Sequence, residues 1–394
     1  MDHPIKRKIR AFFRKVVAFF TEDALNPLPI RRTLAHYSPA KARADFRASL
    51  NVVMLTVPQG MAYAAIAELP IVFGIVCSAV ASLVAPLFAS SKYTCLGPTN
   101  ATALMVYTTM AGLHHLSAYE RLGLMPMLVL MIGAICFIGA LIKVADLLQF
   151  ISHSVLVGYI TGAAYLIIAS QLKHLFGVAE GFQSNGTFVG TANVLLSRAG
   201  DFDWALCAFG IGTLLVYLVL QRYLKGWPVF ALVLVLASLL GVTLTRLSPA
   251  WAESLVFFEP FAIADLAPRA PELLSQGFFH TLSLLLAPAF AVAFLASLEN
   301  SVMAKSLAAR TGGRPDVNQD MLAVGMANLA CACTAAMPAS GSLTRSALNF
   351  ESGARTGVAS LMTGALCVIA TALLAGLPLI SSWQNPVAYV PKVA

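Results

Sequence analysis

Residues 337–346 read MPASGSLTRS, and residues 95–102 read CLGPTNAT. Each stretch sets a proline and small polar residues immediately before an apolar run. Proline and glycine stop a helix from running straight through, and the Thr, Ser or Asn that follows suits the cap of a new one. Pro98 and Pro338 therefore announce helices opening near 99 and 342. A short extended segment is expected before each. Such a helix starts with free N–H groups and the positive end of its dipole, which together make a site for an anion.

The surroundings of both stretches are lipid-compatible. The 394 residues hold 26 Lys+Arg and 18 Asp+Glu, or 11% charged, against about 25% in ordinary soluble domains. Hydrophobic residues make up 58%, and the mean hydropathy is +0.78. A soluble domain lacks the polar cover for so much apolar surface. A soluble enzyme, a disordered chain and a secreted disulfide scaffold are thereby excluded. The composition specifies an all-α polytopic membrane protein. Non-helical backbone at membrane depth is tolerated only where protein buries it or it lines a cavity, so the two proline-led breaks point inward.

A crossing helix takes about 20 apolar residues. Eleven segments qualify as helical: 48–68, 71–89, 99–116, 122–142, 151–169, 203–221, 228–245, 281–298, 320–336, 342–350 and 357–379. The first two meet at Leu69-Pro70, and the tenth is too short to cross alone. Connections 178–202 and 246–279 are the only sizeable ones. If the chain alternates across the bilayer, nineteen of the 26 Lys and Arg fall on the side of the N-terminus and six on the other, while Arg345 alone lies at membrane depth. The bias predicts a cytoplasmic N-terminus in an inner or plasma membrane. Residues 5–20, IKRKIRAFFRKVVAFF, suit an interfacial helix facing anionic lipid rather than a nucleic-acid contact. No secretory signal is expected. Asn185-Gly-Thr187 is a formal glycosylation tripeptide without further support. The seven cysteines read as reduced core residues, and no metal or cofactor is expected.

Pro58 and Pro288 stand in two further spans, each read as an interrupted helix preceding a proline-started one. Seven spans separate the members of this pair, and an odd number flips the second copy. An inverted repeat with a midplane site between facing half-helices is the expected outcome.

VPQGMAYAAIAELP (57–70), SSKYTCLGPTNATALM (90–105), FISHSVLVGYITGAAYLIIASQLKHLFG (150–177), SLENSVMAKSLAARTGGRPDVNQDMLAVGMANL (297–329) and MPASGSLTRSALNFESGARTG (337–357) together resemble the sulfate permease, or solute-carrier anion transporter, family. The resemblance implies a uracil-permease-like fold of seven plus seven helices. It divides the chain into a basic N-terminal segment (1–43), a first core part (44–150), a gate part (151–279), a second core part (280–380) and the start of a further gate half (381–394). It implies a homodimer in the lipid bilayer and secondary transport of sulfate, bicarbonate, chloride or a dicarboxylate, coupled to H+ or Na+ or by exchange, through an elevator motion. A second repeat as long as the first would need roughly 120 residues beyond 394. The second repeat is therefore expected to be incomplete, without counterparts of helices 12–14 or a STAS domain.

Within this frame Arg345 is the anion-site cation, since an arginine at membrane depth needs an anion or an acid, costing on the order of 3 kcal/mol otherwise. The bland alternative is an ion pair with Glu299. Glu299, at the end of the eighth span, is the expected proton- or ion-coupling acid. Gln59 and Tyr63, at i and i+4, share a helix face and match family cavity positions. Thr99, Asn100 and Ala101 open the third helix, and Ser342, Leu343 and Thr344 the tenth. Their backbone N–H groups matter more than their side chains. Asn318, Gln319 and Asp320 read as the cap of the ninth helix. A nucleobase permease of the same fold and a non-transporting fragment are the alternatives. No motif of an intramembrane enzyme is present.

Overall fold

The computed structural model describes residues 25–113, 116–150, 153–178, 188–224, 229–248, 251, 255, 278–313, 315–334 and 336–374. Segment 5–20, the tripeptide 185–187 and residues 381–394 lie outside the described residues. The apolar runs become helices α1 (Ile30–Ala35), α2 (Pro39–Ile66), α3 (Ile71–Phe88), α4 (Asn100–Gly112), α5 (Ala118–Gly123), α6 (Met125–Leu141), α7 (His153–Leu175), α8 (Phe188–Ser197), α9 (Trp204–Tyr223), α10 (Val229–Leu247), α11 (Phe278–Thr311), α12 (Val317–Ala332), α13 (Leu343–Glu351) and α14 (Val358–Leu374). Two-residue strands β1 (Leu96–Gly97) and β2 (Ser340–Gly341) precede α4 and α13, as the proline-led breaks predict. Helix α8 falls within the stretch expected to be a plain connection.

Two expectations are corrected. Neither Pro58 nor Pro288 interrupts its helix; α2 and α11 run through them. Each proline removes a single N–H from the ladder, which packed neighbours tolerate in a membrane helix. Helix α11 also continues past residue 298 to Thr311, so Glu299 sits inside a helix of ~50 Å rather than at its end. The polar run ENSVMAKSLAART lowers hydropathy without breaking helicity.

One apolar core joins α2, α3, α4, α6, α11, α12 and α14. Small residues let these helices approach. Gly133 of α6 faces the backbone of Leu329, and Gly325 of α12 faces the backbone of Phe137. A Cβ at either glycine would stand 2.7 Å from the opposite backbone nitrogen. Helices α9 and α10 contribute nothing to that core. They share a small cluster of their own, Leu206, Phe209 and Ala237, with Leu255. At the α2–α3 corner Glu68 adopts φ 54°, and its carboxylate pairs with Lys173 in the last turn of α7. The Lys173 ammonium also lies 5.4 Å from the centre of the Tyr107 ring on α4.

Buried acids fasten the connecting loops. Asp45, fully buried, accepts from the N–H groups of Arg355 (2.7 Å) and Thr356 (3.1 Å) and from the Thr356 hydroxyl (2.5 Å). It also accepts from Tyr37 Oη at 3.2 Å; burial, and then the Asp45 charge, pushes the Tyr37 phenol up to about 12. Asp320 accepts from the backbone and hydroxyl groups of both Ser90 and Ser91. The cap of α12 is Asp316, which accepts from Asn318 N and Gln319 N, both at 3.0 Å. Residues 318–320 are therefore inside the helix and not its cap. Gln319 instead clasps Asn26 through both main-chain groups. Of the seven unpaired cysteines six are buried, while Cys333 is exposed and so is not a core residue.

Candidate functional site

The two proline-led stretches meet. β1 and β2 pair antiparallel, with Leu96 opposite Gly341 and Gly97 opposite Ser340. Ser342 N extends the pairing by donating to Cys95 O at 3.1 Å. Each strand then feeds a helix. Thr99 caps α4: its Oγ1 accepts from Thr102 N (3.3 Å), and Thr102 Oγ1 accepts from Thr99 N (3.0 Å). Ser342 caps α13 by accepting from Arg345 N at 3.4 Å. Helix geometry leaves the N–H groups of Asn100, Ala101, Leu343 and Thr344 without an intrahelical acceptor. Two positive dipole ends thus open on either side of one short ladder.

Arg345 braces this crossing. Its side chain is fully buried, and its Nη2 donates to Pro98 O at 2.7 Å, tying the first turn of α13 to the entrance of α4. Nε and Nη1 have no partner. Gly97 lets the guanidinium lie against the strand, since a Cβ there would stand 2.6 Å from Nη1 and push it aside. Among the described residues no carboxylate forms a salt bridge with Arg345, so the ion pair with Glu299 is absent. The one hydrogen bond of its guanidinium among the described residues goes to a neutral carbonyl, which does not cancel the charge in a low-dielectric interior.

Glu299 comes from α11 and approaches the same crossing. Its Oε2 accepts from Thr99 Oγ1 at 2.9 Å and from the Ser340 hydroxyl. One carboxylate oxygen is thereby bound to the cap of α4 and to β2 together. Two donors on one oxygen hold the acid between the halves of the site.

The remaining predicted residues surround this centre in different ways. Ala101 and Thr99 are buried, as is Ser342, while Asn100, Leu343 and Thr344 are exposed at the open face of the first turns. Gln59 and Tyr63 are half-buried on α2. Gln59 Oε1 is enclosed without a hydrogen-bond partner, and the Tyr63 hydroxyl lies within electrostatic reach of both Arg345 and Glu299. The structure thus gathers Tyr63, Thr99, Ser342, Arg345 and Glu299 around one crossing.

Residues that the sequence did not single out support it from behind. Ser82 of α3 donates to Leu96 O (3.1 Å), Ser360 of α14 to Thr94 O (2.7 Å), and Ser346 Oγ accepts from Cys95 N (2.9 Å). Asn328 of α12 binds Ala339. Their signal was present: polar side chains in apolar spans, each needing an internal partner.

Comparison with known proteins adds an independent line. A profile of the sulfate permease family matches residues 43–387. The protein named probable sulfate transporter 4.2 of Arabidopsis thaliana is 30% identical over 324 residues, covering 82% of this chain and 47% of that protein. The chloroplastic sulfate transporter 4.1 of the same plant is 30% identical over 356 residues, 89% of this chain and 49% of its own. The chain spans about half the length of these curated relatives. Among solved structures, the transmembrane domain of the cyanobacterial bicarbonate transporter BicA superposes with a TM-score of 0.77 at 17% identity, over 91% of this chain and 86% of that one. The murine anion transporter Slc26a9 in its inward-facing state gives 0.80 at 20% identity, over 96% and 65%. At these identities the likeness is one of fold.

Proposed function

The chain belongs to the sulfate permease family of membrane transporters, and we propose that its site carries a small anion, sulfate or bicarbonate in the first instance, between the N-termini of α4 and α13. The observation that carries this reading is Arg345. It is fully buried, bonded to the Pro98 carbonyl and unpaired with any acid among the described residues. Its charge adds to two helix dipole ends that converge on the same point, so an anion at the exposed first turns is stabilised from three directions. Binding uses the N–H groups of Ala101 and Thr344 and the polar edge of Gln59, with Tyr63 alongside. Arg345 acts at short range from behind the ladder.

Glu299 is the coupling group in this reading. Its negative charge offsets the field of Arg345 at the anion position. A proton on Glu299 restores that field, so proton and anion each strengthen the binding of the other. Release on the far side reverses both. Coupling by Na+ would instead leave the pH of each face without effect.

Alternate access is assigned to an elevator motion, with α2–α6 and α11–α14 as the moving core and α7–α10 as part of the gate. Two features support the division: the core cluster excludes α9 and α10, and Lys173–Glu68 is a side-chain link between the two parts. The inverted repeat is supported by matched packing, since α6 lies against α12 much as α14 lies against α3. A cytoplasmic N-terminus and a homodimer complete the reading.

The test is uptake of radiolabelled sulfate and bicarbonate by purified protein in proteoliposomes, with and without an inward proton or sodium gradient, beside Arg345→Ala. Uptake that requires Arg345 supports the reading. Uptake equal in both proteins contradicts it.

A further inference from the structure

A two-stranded ladder has two outer edges, and in the interior of a membrane protein each backbone group on those edges needs a protein partner. Around β1 the work is divided among the hydroxyls of Ser82, Ser346 and Ser360 from three helices. At the residue that leads into β2, Ala339, one side chain serves both backbone groups. Asn328 Oδ1 accepts from Ala339 N at 2.9 Å, and Asn328 Nδ2 donates to Ala339 O at 2.9 Å. The second amide hydrogen goes to Val324 O, also at 2.9 Å, within α12. Asn328 is fully buried. Its amide therefore pairs with Ala339 as a neighbouring strand residue would, exchanging a donor and an acceptor with a single partner.

Ala339 leads directly into the site's second half. The next residue, Ser340, binds Glu299 and pairs with Gly97. Two positions later Ser342 caps α13 and fixes the turn that carries Arg345. A rotation of the 339 peptide would move the coupling acid's donor, the ladder and the helix N-terminus together. We infer that Asn328 is a positioning residue for the anion site, holding β2 in register so that the N–H groups of α13 and the Ser340–Glu299 contact stay aimed at the α4 terminus. The inference deepens the proposed function and rests on it.

The test uses the full chain in nanodiscs and proteoliposomes, with Asn328→Leu, which removes both bonds to Ala339, and Asn328→Asp, which keeps an acceptor for Ala339 N–H. Hydrogen exchange is followed across 336–346, and the half-saturating sulfate concentration is measured together with the maximal uptake rate. For Asn328→Leu, exchange protection at 339–342 falls while α9 and α10 are unchanged. Half-saturation rises about tenfold, with maximal rate within about threefold of the wild type. Asn328→Asp lies between. A variant that loses maximal rate at unchanged half-saturation, or leaves exchange at 339–342 unaltered, overturns the inference. If Asn328→Leu does not fold, unchanged half-saturation and exchange in Asn328→Asp overturn it equally. A wild type that binds neither sulfate nor bicarbonate removes the anion reading; exchange then decides Asn328 by itself, collapse confined to 339–342 upholding its hold on β2 and unchanged exchange overturning it.

Discussion

Helices α3 and α9 are both long and apolar enough to cross a bilayer, yet 72% of the apolar stretch of α3 is buried within the protein and 17% of that of α9. Both are apolar and both carry small residues; what those residues face separates them. Helix α3 carries Gly74, Ser78 and Ser82, and a Cβ on Gly74 would run into the Gly60 carbonyl of α2. Helix α9 presents Leu214, Leu215, Leu218 and Val219 outward, each about half exposed. Lipid is as apolar as leucine, so apolarity alone gives no reason for two membrane helices to associate, and close backbone approach and internal hydrogen bonds supply the reason. The packed region holds the crossing and its charges.

The comparison breaks most sharply at Arg345. Arg345→Met keeps roughly the volume and removes the charge. Sulfate uptake in proteoliposomes is expected to fall to background. The ligand-free protein is expected to gain about 1–2 kcal/mol of stability to unfolding, because a buried charge with no acid at salt-bridge distance is replaced by apolar volume. A variant that loses both uptake and stability would make the arginine a structural brace only.

A second contrast pits glycine against glycine. Gly325→Val forces side-chain volume against the Phe137 backbone, where a Cβ already falls at 2.7 Å, and is expected to destabilise by about 1–3 kcal/mol. Gly212→Ala in α9 meets nothing within 4 Å and is expected to be neutral or to stabilise by up to about 1 kcal/mol. Chemical denaturation in mild detergent reads both. Equal effects would erase the distinction between the regions.

Glu299→Gln sharpens the role of the crossing. Wild-type sulfate affinity is expected to rise about tenfold as pH falls from about 8 to about 5, because the proton removes a charge that opposes the anion. The glutamine variant is expected to bind at all pH values like the protonated wild type, and a proton gradient no longer drives its uptake. A pH dependence that survives the substitution assigns coupling elsewhere. The smallest effect belongs to the link between the regions. Glu68→Gln loosens Lys173 of α7 and is expected to cost about 1 kcal/mol, since Glu68 is half exposed and such pairs are weak; faster hydrogen exchange confined to α7 is the readout.

Much of this architecture was legible in the sequence. Spans read at 71–89, 203–221, 228–245 and 342–350 match Ile71–Phe88, Trp204–Tyr223, Val229–Leu247 and Leu343–Glu351, because apolar length and proline placement act locally. The extended segments before α4 and α13 followed from Pro98 and Pro338. Pro58 and Pro288 misled, since whether a proline ends a helix depends on what packs around it. The reach of α11 beyond Glu299 was hidden by polar residues that remain helical outside the apolar zone. Arg345 was legible as a charge at membrane depth, but its bond to Pro98 O required knowing that the strands pair. Asn328 and Asp45 looked like ordinary polar residues and Asp320 like part of a helix cap, while the bonds that define their roles reach partners 11 to 311 residues away.

The central claim is the position of the anion, and locating selenate by anomalous scattering in crystals of the selenate complex tests it most directly. The account predicts a selenium peak between the first turns of α4 and α13, within hydrogen-bonding reach of the N–H groups of Ala101 and Thr344, that vanishes in Arg345→Met. A peak elsewhere, or an empty crossing at saturating selenate, would contradict it.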